Sequence, residues 1–393
     1  MRKIKNYIVS NPRVYAPIVR HKAKEFERLY REINERYYRE YAKLNIEHLD
    51  DYLDTRLKTK IRDFHIVPKK YGELKVFLID DNGEYTARQF VPALQIAGSL
   101  ATVDWKKLAG ATPDSSGWSS VREVANHRLL QEIALINQTT GIDVVITACN
   151  PGALTLELIA SIRKLGIPAV RYNADDKQNF HAHLSGSFGS CPMAGEYFLN
   201  WTTARECCPW FLAEGGLPFY QPEGADPELF RPTGDAFEYD VSFLGARYGF
   251  RGEFIQRLKE SGLSVSCFGP EWGGRVEWQE MSRIYSKSRI NLGIGGIRHS
   301  SDVTCLKGRD FEVPMSGGLY LTSYNSELCD WYRPGSEILL YRNVDDAIDL
   351  VRYYLAHPEK AAAIRHAGLE RARAEHSWET KFQTLFRKMQ LIT

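Results

Sequence analysis

No stretch of roughly eighteen apolar residues occurs anywhere in the 393-residue chain, so no membrane-spanning helix is expected. The opening residues, MRKIKNYIVSNPRVYAP, hold no apolar run of the kind a secretion signal needs. A soluble, cytoplasmic protein is the expectation. Basic runs are lacking too, and the formal net charge is only +2, which excludes nucleic acid as the expected partner. The seven cysteines are odd in number, scattered and without a CxxC pair, which fits reduced thiols better than a disulfide framework or a zinc site. No GxGxxG follows the first strand-like run, which argues against an NAD- or FAD-dependent dehydrogenase. No His-His-carboxylate spacing and no loop DxD is present, so neither a metal nor another cofactor is expected. A repeat of fixed period and low-complexity segments are absent as well.

What remains is an ordinary globular composition, 44% hydrophobic and 25% charged, with length enough for two domains. Residues 1–70 stand apart, with 18 Lys/Arg against 10 Asp/Glu. From His21 to Leu44, apolar and aromatic residues recur at three- and four-residue steps (Phe26, Leu29, Tyr30, Ile33, Tyr37, Tyr41), one face of an amphipathic helix. A second helix is expected over 46–64. Such a basic hairpin could lie on an anionic membrane, or pack on the body of the protein or on a second subunit. Its tyrosine-rich face and mixed charges favour packing.

From Leu74 the pattern changes to Val- and Ile-rich runs alternating with helical segments, which predicts parallel βαβ units. Strands are expected at 74–80, 100–105, 143–148, 169–173, 198–202 and 218–221. One helix is expected over 86–98, and others over 121–140, 155–165 and 208–214. The proline-bearing link Gly224-Ala225-Asp226-Pro227 marks a boundary, and a second α/β series begins at Tyr239. The expected layout is a helical extension over 1–70, a Rossmann-like domain over 71–225 and a second one over 226–376. A final helix over 377–393 is expected to return to the first domain. Two such domains facing each other would leave a cleft at their strand ends.

Two stretches point to ligand chemistry. KGRDFEVPMSGGLYLTSY (307–324) sets a basic pair, Lys307 and Arg309, beside Asp310 and Glu312 at a helix start, then a double glycine and a buried strand. Pro314 is tolerable there only if the helix begins close by. The turn from Gly245 to Arg251, GARYGFR, follows a strand directly. Its small residues admit a close backbone approach, and Arg247 and Arg251 flank a helix N-terminus, a combination suited to a diphosphate. In the first domain, Asp80, Asp81, Asp175, Asp176, His181 and His183 fall in loops after expected strands and could supply a base or bind hydroxyls.

Four blocks in order, FLGARYGFR, FGPEWGGRVEWQEMSRIYSKSRINLGI, LKGRDFEVPMSGGLYLTS and YYLAHPEKAAAIRHAGLERARAEHSW, resemble the carboxyl-terminal domain of group 1 glycosyltransferases of GT-B architecture. They are most similar to the spore-maturation CgeB-like branch. The resemblance covers roughly 226–388. It implies a hexosyltransferase that takes a UDP- or GDP-sugar and passes the sugar to a glycan, lipid-linked or protein acceptor without a metal, with retention of configuration. It implies Glu312 on the ribose hydroxyls, Gly317 ending the same helix, and Arg247 and Arg251 on the leaving diphosphate. The loop 269–276, with Trp272 and Val276, would hold the base. His299, Lys307 and Arg309 would contact sugar or diphosphate. Thr304 stands where the family usually carries a second Glu, eight residues before Glu312. Two other readings share the scaffold: a sugar-nucleotide epimerase or phosphorylase, and a non-enzymatic assembly or surface-layer protein.

Overall fold

A computed structural model describes residues 12–111, 117–186 and 188–393, with side chains from Tyr15 onward. The start of the expected extension, residues 1–11, lies outside them. The chain divides into two compact units. One takes the residues up to Tyr30 together with Glu223–Ser377, and the other takes Arg31–Pro222 together with Trp378–Thr393.

The unit holding Arg31–Pro222 is built on a six-stranded parallel sheet in the order β2-β1-β3-β4-β5-β6. Its strands are β1 (Leu74–Asp80), β2 (Gly98–Asp104), β3 (Val144–Ala148), β4 (Ala169–Asn173), β5 (Leu199–Thr202) and β6 (Pro218–Tyr220). Strand alternation sorts the core cleanly. Leu74, Val76 and Leu78 pack on one face with Val144, Ile146 and Val170. Phe77 and Ile79 point to the other face, with Val145 and Ala169. Helices cover both faces, which is why β1 reads as an uninterrupted apolar run. The first face is closed by Leu57, Leu94 and the helix Trp378–Lys388, whose Trp378 ring lies 4.3 Å from that of Phe90. The second is closed by the helices Trp118–Thr139 and Leu156–Lys164.

The other unit carries a five-stranded parallel sheet in the order β11-β10-β9-β7-β8. These strands are β7 (Tyr239–Leu244), β8 (Val265–Phe268), β9 (Ser288–Leu292), β10 (Tyr320–Ser323) and β11 (Leu339–Tyr341). Val241, Phe243, Leu292 and Leu321 face one layer of helices, while Tyr320 faces a second layer with Phe311, Val313 and Met315.

The structure departs from expectation in instructive places. The helix expected over 86–98 is two helices, Gly83–Gln89 and Val91–Ala97. Pro92, the second residue of the later one, has no N–H to give to the preceding turn, so the ladder breaks at Phe90. The amphipathic helix runs Pro12–Ala42, with Pro17 inside its early turns. Its aromatic face is buried: Phe26 and Tyr30 in one unit, Ile33 and Tyr37 in the other. Tyr37 stacks at 5.6 Å on Trp210 and donates to Glu214 at 2.9 Å. No helix among the described residues is long and apolar enough to cross a membrane.

Candidate functional site

In the five-stranded sheet the chain leaves β7 for β8 on one side and takes β9 on the other. The carboxyl ends of β7 and β9 therefore flank a topological switch point, where parallel sheets bind ligands. Gly245 follows β7 and gives its N–H to the Phe268 carbonyl at 2.8 Å. A Cβ on Gly245 would stand 2.5 Å from Arg309 Nη1, so only glycine leaves that guanidinium its place. The Arg247 N–H bonds the Pro270 carbonyl at 3.1 Å, and its guanidinium lies 5.1 Å from the centre of the Trp272 ring. Val276, half-buried, ends the same loop after β8. Arg251 is different. It is 5% exposed, and it donates to the carbonyls of Ala246 and Ile294, each at 3.3 Å. Burial, with Arg309 nearby, pulls its pKa down to about 10, so it remains a cation at neutral pH. Arg309 likewise donates to Leu244 (2.7 Å) and Ile294 (3.4 Å). These two arginines tie the ends of β7 and β9 together.

The helix Arg309–Met315 sits beside them, and everything from Asp310 to Met315 is buried. Asp310 accepts from the Lys307 N–H at 2.8 Å and from the Tyr320 hydroxyl at 2.6 Å, which fixes the turn that carries Lys307 and Gly308. Glu312 is 4% exposed, and its Oε2 accepts from the Tyr285 hydroxyl at 3.4 Å. Burial pushes its carboxyl up to about 7; the Arg309 charge and the Tyr285 bond work against that shift, and Asp310 adds to it. A Cβ on Gly308 would lie 2.9 Å from Glu312 Oε1 and 3.2 Å from Glu223 Oε2, so two carboxylates converge on the bare face of this glycine. Pro314 is the sixth of seven helical residues, five beyond the start, and the helix stops just after the bond it forfeits. Gly317, at φ +70°, makes that stop.

His299 follows β9 in the left-handed region at φ +73°. Its ring lies 5.8 Å from Tyr248, and its buried Nδ1 has no partner. Gly245, Arg247, His299 and Lys307 thus fall on loops at one sheet's strand ends, Arg251 opens the helix Arg251–Glu260, Arg309 and Glu312 lie on the helix Arg309–Met315, and Gly317 follows that helix. The residues expected on the acceptor side belong to the other unit. Asp81 is buried and accepts from the Asn150 backbone (3.0 Å) and side chain (2.7 Å), at the switch point between β1 and β3. Asp80 caps its own turn through the Asn82 N–H at 2.9 Å, and Asp175 accepts from Gln178 at 2.7 Å. Asp176 is fully buried in an ion pair with Arg171 at 2.6 Å. His181 caps a short helix by accepting the His183 N–H at 3.2 Å, and burial lowers its proton affinity. Tyr285, Tyr320 and Glu223 were not singled out in the sequence. The first two read as core aromatics, and no local spacing marks a phenol that will reach a carboxylate.

Three comparisons bear on this site. A family described as glycosyl transferase-like matches residues 251–387. No curated protein sequence matches the chain. Among solved structures, sucrose-phosphate synthase from Thermosynechococcus elongatus superposes with a TM-score of 0.56 at 12% identity, covering 81% of this chain and 99% of that one. A glycosyltransferase from Rickettsia africae gives 0.52 at 9% identity over the same shares. HepE of Anabaena, solved with UDP-glucose, gives 0.50 at 12% identity, again over 81% and 99%. The fold class is GT-B. It consists of two Rossmann-like α/β domains, here with a helical extension at the amino-terminal side.

Proposed function

We propose that the chain is a glycosyltransferase that uses a nucleotide diphosphate sugar. In this reading it moves a hexose from a UDP- or GDP-sugar to a glycan, lipid-linked or protein acceptor, with retention and without a metal ion. The observation that carries the proposal is Glu312. It is a buried carboxylate on the helix beside a switch-point crevice, inside the segment similar to glycosyl transferase-like proteins. The UDP-glucose bound to HepE, a protein of the same fold, supports the donor class.

In this assignment Glu312, once ionised, accepts from two neighbouring ribose hydroxyls, a geometry a carboxylate satisfies with its two oxygens. Arg247, half-exposed over Trp272, and Lys307 supply cations to the diphosphate. Arg251 and Arg309, held on backbone carbonyls, add fixed positive charge behind it. As the bond from the sugar C1 to the diphosphate oxygen breaks, the acceptor oxygen bonds to C1 on the same face and its hydroxyl proton passes to the departing diphosphate oxygen, while negative charge builds on the leaving diphosphate. Fixed cations there stabilise the transition state more than the ground state. Trp272 and Val276 border the base, His299 borders the sugar, and Asp81 is the acceptor-side carboxylate.

The test is a thermal-shift screen with UDP, GDP, ADP, CMP and dTDP. A nucleotide present at about 100 times its Kd stabilises the protein by roughly 2.7 kcal/mol, a clear rise in Tm. One nucleotide should stand out, and Glu312→Ala should abolish its effect while keeping the cooperative unfolding transition. Silence from all five would overturn the proposal.

A further inference from the structure

The helix Pro12–Ala42 lies outside the matched segment, yet its residues up to Tyr30 pack in the unit that carries the candidate donor site. Val19, Phe26 and Tyr30 form its buried stripe. Two polar side chains from this part of the helix reach the two loops of the switch point. The Tyr15 hydroxyl accepts the N–H of Gly249, a buried glycine in the loop between Arg247 and Arg251. Glu27 Oε1 accepts from the Ser300 hydroxyl at 2.5 Å, next to His299.

Neither contact is a simple anchor. Ser300 Oγ also accepts the N–H groups of Asp302 (3.0 Å) and Val303 (3.1 Å), the residues that lead to Thr304. A hydroxyl has one hydrogen and two lone pairs. By taking the hydrogen, Glu27 turns both lone pairs onto the loop. Gly249 sits at φ +62°, and a Cβ there would come within 3.1 Å of His299 Cα, so the two loops abut at this point. Arg298 (φ +48°) and His299 (φ +73°) hold left-handed conformations that cost free energy and persist only when their surroundings fix them.

We propose that Tyr15 and Glu27 are positioning residues of the donor site, holding the loops 245–250 and 295–304 in the arrangement that receives the nucleotide diphosphate sugar. The proposal rests on the glycosyltransferase reading above. It makes the amino-terminal helix a working part of the second domain's site and goes beyond the segment similar to known transferases.

The experiment uses the full chain with UDP and GDP as probes, read by calorimetric Kd and by Tm without nucleotide. Tyr15→Phe removes only the hydroxyl, and Glu27→Ala removes the acceptor, while Glu27→Gln keeps a carbonyl oxygen for Ser300. Tyr15→Phe and Glu27→Ala should each weaken nucleotide binding by about three- to tenfold, the range a single hydrogen bond commands. Glu27→Gln should stay within about twofold of the parent, and Tm without nucleotide should fall by no more than about 2 °C in all three. A lower Tm with unchanged Kd would mean the contacts only dock the helix, and would overturn the proposal. So would tighter binding, which would make the helix an obstruction. If the unmodified chain binds neither probe, the glycosyltransferase reading itself fails, a result visible before any variant is made.

Discussion

At the scale of single residues, Glu312 has the most measurable chemistry. Its carboxyl titrates near 7 in the folded chain, because burial disfavours the anion. An unfolded glutamate titrates near 4.3. The folded state therefore binds the extra proton between those values, and stability from this group is fully present below the unfolded pKa and lost as pH rises through about 7. Glu312→Gln, which stays neutral, should match the parent in Tm at about pH 4 and exceed it by about 5 °C at pH 8. Nucleotide binding should run the other way, weakening below about pH 7 as the carboxylate is protonated; a flat Kd profile from pH 5.5 to 8 would count against the ribose contact. The sequence displayed Glu312 at a helix start, but not its setting. Its partner Tyr285 lies 27 positions earlier on a different helix. Asp176 shows the opposite failure. It reads as a loop carboxylate, whereas Arg171, five residues back, reaches it across the end of β4 and buries both.

At the scale of elements, the strands were legible because covered parallel strands are apolar runs, whatever their partners. Helix ends were legible where a glycine or proline forces them, and misread where Pro92 divides one expected helix into two. The helix Arg309–Met315 adds a test of its own. Gly308→Ala would bring a methyl within 2.9 Å of Glu312 Oε1 and 3.2 Å of Glu223 Oε2. Since Gly308 itself sits at φ −47°, an ordinary helical value, alanine there should fold. The expected result is a Tm within about 3 °C of the parent and a loss of nucleotide affinity of tenfold or more, because the carboxylate must swing aside. Gly317→Ala should behave differently. At φ +70° it strains the backbone, and its methyl meets Pro232 at 3.0 Å, so it should cost roughly 1–2 kcal/mol in urea unfolding.

At the scale of the whole molecule, two parallel sheets each offer a switch point, between β1 and β3 and between β7 and β9. The alternation of strand and helix announces this architecture in the sequence. The helix Trp378–Lys388 completes the sheet whose strands lie far earlier in the chain. Trp378, Phe382 and Phe386 are fully buried in that core. Trp378→Ala should cost about 3–5 kcal/mol, measured by urea denaturation, through the cavity it leaves against Phe90 and Trp201. That arrangement has a consequence for biosynthesis. When β6 emerges from a ribosome, the face bearing Phe90, Tyr172 and Trp201 lacks the cover that Trp378, Phe382 and Phe386 give it, because those residues have yet to be translated. At about 5–20 residues per second the wait lasts on the order of 10–30 s. During that interval the nascent chain presents an aromatic surface prone to aggregation.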